Sequence, residues 1–236
     1  MILVVPDIHG HKQQLDRVLA LADAQFGKDA PIVFLGDLVD RGPDSCGVIE
    51  ALIRGIDAGR NWTVICGNHD QLFLEYIDGG DPATPGGLSW LHERMGGRET
   101  LASYGAEEIT GRDRAKIVSH IPVHHSDFLR ALPLVHQVDE ALFVHAGIRP
   151  GVPLKAQLPQ DLTWIRGEFL NDPRDHGPLI IHGHTPVDAP THYGNRVNLD
   201  AGAGYGRDLV IAVLRGRDVS LLSAEGETPL IPQAAT

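Results

Sequence analysis

The apolar positions fall in short runs punctuated by glycine, aspartate and proline. Met1–Val5, Pro31–Leu35, Trp62–Cys66, Ala141–Val144 and Leu179–Ile181 are rich in Val, Ile, Leu and Phe. Such brief continuous runs predict strands buried on both faces. Between them the period changes. Leu15, Val18, Leu19, Ala22 and Phe26 recur at helical steps, and Val48, Ile49, Leu52 and Ile53 form one stripe within Ser45–Ile56. Asp70–Ile77 reads as a shorter helix. Strand and helix thus alternate through the first third of the chain, which predicts α/β layering. Further on, Arg196–Leu199, Leu209–Leu214 and Val219–Leu222 read as successive strands, with Arg215-Gly-Arg-Asp218 as a hairpin turn. They predict a second, mostly antiparallel sheet.

Gly79–Gly87 and Ile148–Leu162 carry no stripe and read as long irregular loops, the expected seat of specificity. With no repeat or linker, residues 1–236 read as a single domain, with a tail that frays from about Ile231. Composition adds three constraints. A net charge of −11 argues against general binding to nucleic acid or to an anionic membrane. Two cysteines, Cys46 and Cys66, and no basic, apolar leader point to reduced thiols in the cytoplasm. Thirteen histidines hint at metal chemistry.

The hint sharpens at the strand ends. Each of the five runs leads into polar residues able to bind a metal: Asp7-Ile-His9-Gly, Asp37-Leu-Val-Asp40-Arg41-Gly, Asn68-His69-Asp70, His145-Ala-Gly and His182-Gly-His184-Thr. Sites in α/β sheets form just beyond the carboxyl ends of strands. Carboxylate, imidazole and amide donors without cysteine suit Mn²⁺, Fe or Zn²⁺ and disfavour a structural zinc site. Two divalent ions and two ionised aspartates would leave net positive charge to hold a phosphate on an acidic protein. Taken singly, Asp7, His9, Asp37 and Asn68 could be turn or cap residues, and His145 and His184 could be hydrogen-bonded core histidines. Together and in this order they are more simply ligands.

In this order the motifs resemble those of calcineurin-like metallophosphoesterases. Val39-Asp-Arg-Gly42, Gly96-Gly-Arg-Glu-Thr-Leu-Ala-Ser-Tyr-Gly105, Trp164-Ile-Arg166 and Asn198-Leu-Asp-Ala-Gly202 resemble the bacterial and phage serine/threonine protein phosphatases among them. The resemblance implies a two-sheet α/β sandwich with helices on its outer faces, a four-layer fold. It implies two divalent ions, manganese foremost. Asp7, His9 and Asp37 would hold the first, and Asp37 would bridge to a second completed by Asn68, His145 and His184. A water or hydroxide between the ions would attack phosphorus directly. His69 would protonate the leaving oxygen, oriented by Asp40. Arg41 and Arg166, with Asn68, would bind the phosphate.

Two positions depart from the family pattern. Pro6 stands where glycine is usual, and Asp70 stands where protein phosphatases usually carry Glu; Asp at that position is commoner in symmetrical diadenosine tetraphosphatases. The first expectation for the substrate is phosphoserine or phosphothreonine in a protein or peptide, because no basic run offers to hold a long polyphosphate. The alternative is a symmetrical diadenosine tetraphosphatase or a related nucleotide phosphohydrolase, acting on a small phosphoester. A third reading, a non-catalytic module with a structural metal, is disfavoured by the His69/Asp40 pair. His182 reads as structural, because Pro186 follows His184-Thr where wider relatives place a further ligand.

Overall fold

A computed structural model describes residues 1–106 and 114–233. Its strands are β1 (Ile2–Val5), β2 (Ile32–Phe34), β3 (Trp62–Val64), β4 (Val135–Val138), β5 (Ala141–Val144), β6 (Leu179–His182), β7 (Thr191–His192), β8 (Arg196–Asn198), β9 (Ala212–Arg215), β10 (Asp218–Ser223) and β11 (Gly226–Pro229). Its helices are α1 (Lys12–Phe26), α2 (Ser45–Asp57), α3 (Asn68–Asp78), α4 (Gly97–Ser103), α5 (Arg114–Val118), α6 (Val123–Ala131), α7 (Pro159–Trp164) and α8 (Gly167–Leu170).

Alternation along the strands creates three cores. Leu3 and Val5 of β1, with Ile32, Phe34 and Val213, face Leu15, Val18, Val48, Ile49 and Leu52 of the helices. Val4, Val33, Ala212 and Leu214 point the other way, onto Phe143, Ile181 and Val197 of the second sheet. Leu142, Val144 and Ile180 on that sheet's far side pack on Leu162 and Phe169 of α7 and α8. Helix, sheet, sheet and helix therefore stack in four layers. This explains why the strands read as continuous rather than alternating: both of their faces are buried.

The first sheet runs β11-β10-β9-β1-β2-β3 and the second β4-β5-β6-β8-β7. The expected separate sheet of C-terminal strands is corrected here. β8 pairs parallel to β6 in the second sheet, whereas β9 pairs antiparallel to β1 and carries β10 and β11 on to the first. Period-2 patterning gives each strand's faces but not its neighbour, and the free edge of β1 is filled from the far end of the chain.

Three local expectations also change. α3 starts at Asn68, two residues early, because Asp70 caps it: its carboxylate accepts from Gly67 N and Leu38 N, both at 2.9 Å. Asn68 and His69 thus sit in a rigid first turn rather than a loop. Residues 148–162 contain a 3-10 turn at Leu154–Ala156 and the start of α7, with Pro159 in the first turn, where a missing N–H costs nothing. The tail expected to fray from 231 is tied at Gln233, whose N–H donates to the His192 carbonyl at 2.8 Å. The rest of that expectation, 234–236, lies outside the described residues. No helix among the described residues is long and apolar enough to cross a membrane.

Phe143 is fully buried between the sheets, whereas Val123 is 72% exposed. Phe143→Ala should cost about 3–5 kcal/mol and Val123→Ala less than about 0.5 kcal/mol. Urea unfolding would check this, and equal losses would contradict the inter-sheet core.

Candidate metal centre

The carboxyl ends of β1, β2, β5 and β6, with the first turn of α3, deliver the motif residues to one place. The turns are tight. Among the described residues six non-glycine side chains have left-handed backbone, and five of them are His9, Asp37, Asp40, Arg41 and His184. Such conformations cost energy and persist where the surrounding fold over-determines them. Two glycines permit the close approach: a Cβ on Gly67 would overlap Asp37 Oδ1, and one on Gly183 would overlap Asp7 Oδ1.

Asp37 lies at the middle. Nε2 atoms of His145, His9 and His69 lie 3.4, 3.5 and 4.0 Å from its oxygens, and the His69 amide donates to Oδ1 at 3.0 Å. Those imidazole separations exceed a hydrogen bond. Two triplets share Asp37, His9–Asp37–His69 and Asp37–His145–His184, each with donor atoms within 4.8 Å of one another. Burial pushes the Asp37 carboxyl up, but the His145, His69 and His9 rings outweigh it and hold it below the usual carboxylate range. Asp7 and Asp200 go the other way. Burial raises both, and repulsion among these carboxylates adds to it.

The donor set fits divalent metal. His9 Nδ1 donates to the Val39 carbonyl at 2.9 Å and His145 Nδ1 to that of Leu35 at 2.8 Å. Their Nε2 lone pairs are thereby turned inward, as metal-ligating histidines require. His145 Nε2 then meets Asn68 Oδ1 at 2.9 Å, one acceptor facing another. His184 Nε2 is buried with no hydrogen-bond partner. Burial, the leading cause in each, pulls His9, His145 and His184 below the usual histidine range, which favours the neutral imidazole that a metal requires. Asp7 stands beside the triplets, its carboxylate accepting the His184 amide at 3.0 Å.

His69 differs from its neighbours. Its Nδ1 donates to Asp40 Oδ2 at 2.6 Å. Asp40, fully buried, also accepts from Trp90 Nε1 at 2.8 Å and Thr100 Oγ1 at 2.6 Å. Arg41 reaches the Nε2 atoms of His9 and His69 at 2.9 and 3.1 Å, and Arg166 donates to Thr185 Oγ1 at 3.2 Å from the exposed rim beside His184. All ten residues expected at the site are therefore present, nine clustered and Arg166 at the edge. His182 stands apart, donating from Nδ1 to the Gly183 carbonyl at 3.1 Å and facing Arg196 at 3.3 Å. Sequence reasoning missed Trp90 entirely. Thr100 and Asp200 stood inside motifs quoted for the resemblance but carried no role. A lone Trp in the polar stretch Leu88-Ser-Trp90 was the available signal.

Residues 1–216 match the model of the calcineurin-like phosphoesterase family. The chain belongs to that family. This phosphoesterase is 25% identical over 257 positions to a bis(5'-nucleosyl)-tetraphosphatase PrpE, asymmetrical type, of Geobacillus thermodenitrificans, an alignment covering 98% of this chain and 96% of that protein. A solved structure provisionally named a diadenosine tetraphosphatase superposes with a TM-score of 0.65 at 22% identity, over 98% of this chain and 93% of that one. A cold-active protein-tyrosine phosphatase of a Shewanella species does so at 0.59 and 17%, over 98% and 80%. The fold is common to all of these phosphoesterases and does not select the substrate.

The expected protein serine/threonine phosphatase activity is overturned by the tetraphosphatase relatives. The error lay in arguing from net charge. Among the described residues Arg41 and Arg166 belong to no ion pair, while acidic groups such as Asp161 and Glu168 are taken up by Arg149. Local cationic capacity survives on an acidic protein.

A pH dependence follows from the buried histidines. Burial, helped by the Arg196 guanidinium, brings His182 down to about 3. The unfolded ring titrates near 6.5. The native ring therefore stays neutral while the unfolded one protonates, so its stabilisation is complete above about pH 6.5 and is lost progressively toward pH 3. His182→Asn should flatten the fall in urea stability between pH 6.5 and 4 by up to about 1.4 kcal/mol per pH unit. Parallel wild-type and variant profiles would contradict this.

Proposed function

We propose that this phosphoesterase hydrolyses dinucleoside polyphosphates, bis(5'-nucleosyl) tetraphosphates foremost, at a dinuclear metal centre. The observation that carries the reading is the near end-to-end alignment with a protein named for that activity. Asp7, His9 and Asp37 would hold one divalent ion, and Asp37, Asn68, His145 and His184 the other. The donors suit manganese, iron or zinc. When bound, the ions supply Lewis-acid charge to the phosphoryl group and bring the pKa of water toward neutrality.

The chain's own groups do the rest. Arg41 on the His9–His69 side and Arg166 on the His184 side present forked donors to phosphate oxygens, and two clamps suit a chain of phosphates. His69 passes a proton from Nε2 to the leaving oxygen. Asp40 holds its Nδ1–H and so aims Nε2 inward, and Trp90 and Thr100 hold Asp40 in turn. Two free thiols, Cys46 and Cys66, accord with a cytoplasmic setting.

The test is product analysis with Mn²⁺ present. Diadenosine tetraphosphate should yield AMP and ATP in equal amounts if cleavage follows the asymmetrical relative. No consumption of the dinucleotide would sink the reading. His69→Asn should slow an alkyl phosphomonoester, whose leaving group needs a proton, by about 10²–10⁴. The loss should be smaller for the dinucleotide, because a nucleotide leaves as a stable anion. Equal losses for both would exclude His69 as the acid.

A further inference from the structure

An arginine and an aromatic ring stand together against each half of the metal centre. On the His9–His69 half the ring is Tyr205, at the end of the 3-10 turn Ala203–Tyr205. Its neighbour Gly204 packs so closely on His9 that a Cβ there would overlap the imidazole. The Arg41 guanidinium lies 4.6 Å from the Tyr205 ring centre, and the ring is 60% exposed. On the other half the ring is Trp164, at the end of α7, edge-on to His184 with ring centres 6.0 Å apart. Trp164 is half-buried and shared by two cavities. One, of about 310 Å³, reaches Asn68, and the other, of about 510 Å³, is lined also by Pro85, Leu158 and Arg166.

The charges around Trp164 say what this space takes. Arg149, also on the wall, is tied to Asp161 and Glu168, so it has little charge left for phosphate. Arg166 on the rim is in no ion pair among the described residues. An anion fits near Arg166, and a flat uncharged ring fits against Trp164 and the apolar wall, in a volume within the usual range for a small ligand. The same pairing of a guanidinium with an aromatic ring repeats at Arg41 and Tyr205. A molecule with phosphates in the middle and a flat base at each end matches both halves. A simple phosphomonoester would use one clamp and neither ring.

We infer that Trp164 and Tyr205 are the stacking platforms for the two bases of a dinucleoside polyphosphate, with Arg166 and Arg41 beside them holding phosphates. This rests on the dinucleotide reading above and adds the specificity-determining residues. Residues 83–86 of the 79–87 loop and Leu158, Gln160 and Asp161 of the 148–162 segment contribute to it by walling the Trp164 side.

The experiment uses the Mn²⁺-loaded enzyme and the variants Trp164→Leu, Tyr205→Leu, Trp164→Phe and Tyr205→Phe. The readout is kcat/KM for diadenosine tetraphosphate divided by that for p-nitrophenyl phosphate. Each Leu variant should lower the ratio about tenfold, the usual scale for a lost base–aromatic stack, mainly through KM, and each Phe variant should restore most of it. Adenosine tetraphosphate, with one base, should respond to only one of the two Leu substitutions. A methylene-bridged dinucleotide analogue should quench wild-type tryptophan fluorescence and lose that quench in Trp164→Phe. Ratios within twofold of wild type in both Leu variants would overturn the platforms while leaving the dinucleotide reading intact. A wild-type enzyme that does not consume the dinucleotide at all would overturn that reading, and this inference with it.

Discussion

The Asp37 carboxylate, buried without a hydrogen-bonded cation of its own, is the constraint around which the structure is arranged. It is 2% exposed, and three imidazoles approach it without closing to hydrogen-bond distance. An isolated ionised carboxylate in a dry interior is costly. Here the cost is compounded by Asp7 and Asp200 nearby, whose carboxyls are pushed upward by burial and by the Asp37 charge. Divalent charge would relieve all three at once. The neutral, inward-turned rings of His9 and His145 and the partnerless Nε2 of His184 complete the same cradle.

The fold supplies what such a cradle needs. Two sheets lie face to face, so strand ends from both meet along one edge: β1 and β2 bring Asp7, His9 and Asp37, and β5 and β6 bring His145 and His184. Precision comes from the backbone. Asp37 takes the Ile8 and His9 amides on its carbonyl, which ties the first motif to the second. Asp70 ties the third to the second through Gly67 and Leu38. Asp70 is thus accounted for by capping geometry, whatever the substrate. The left-handed conformations at five site residues are stabilised by this cross-tying, and rigidity of this kind would keep a dinuclear site and the neighbouring His69 in register.

Much of this was legible before any coordinates. Continuous apolar runs gave the buried strands, and the polar residues just beyond them gave Asp7, His9, Asp37, Asn68, His145 and His184, because a site at strand ends follows directly from chain direction. Sheet membership was not legible. Val213 and Val197 look alike in sequence, yet one extends the first sheet and the other the second, a choice made by which edge lies open. Nor was the buttress of Asp40, since Trp90 and Thr100 reach it from 50 and 60 residues away along the chain. Net charge misled the substrate assignment because it sums over the surface, whereas recognition depends on which guanidiniums are left unpaired. Tyr205 and Trp164 had no readable partner until the turns that carry them were placed against His9 and His184.

Metal stoichiometry in Asp37→Asn tests the central claim most directly. The substitution keeps the shape and removes the charge that both donor triplets share. Elemental analysis after equilibration with Mn²⁺ and desalting should find two ions per wild-type chain and fewer than one in the variant, with its circular dichroism unchanged. Retention of two ions in a folded Asp37→Asn protein would contradict the account, because it would show that neither site depends on the shared carboxylate.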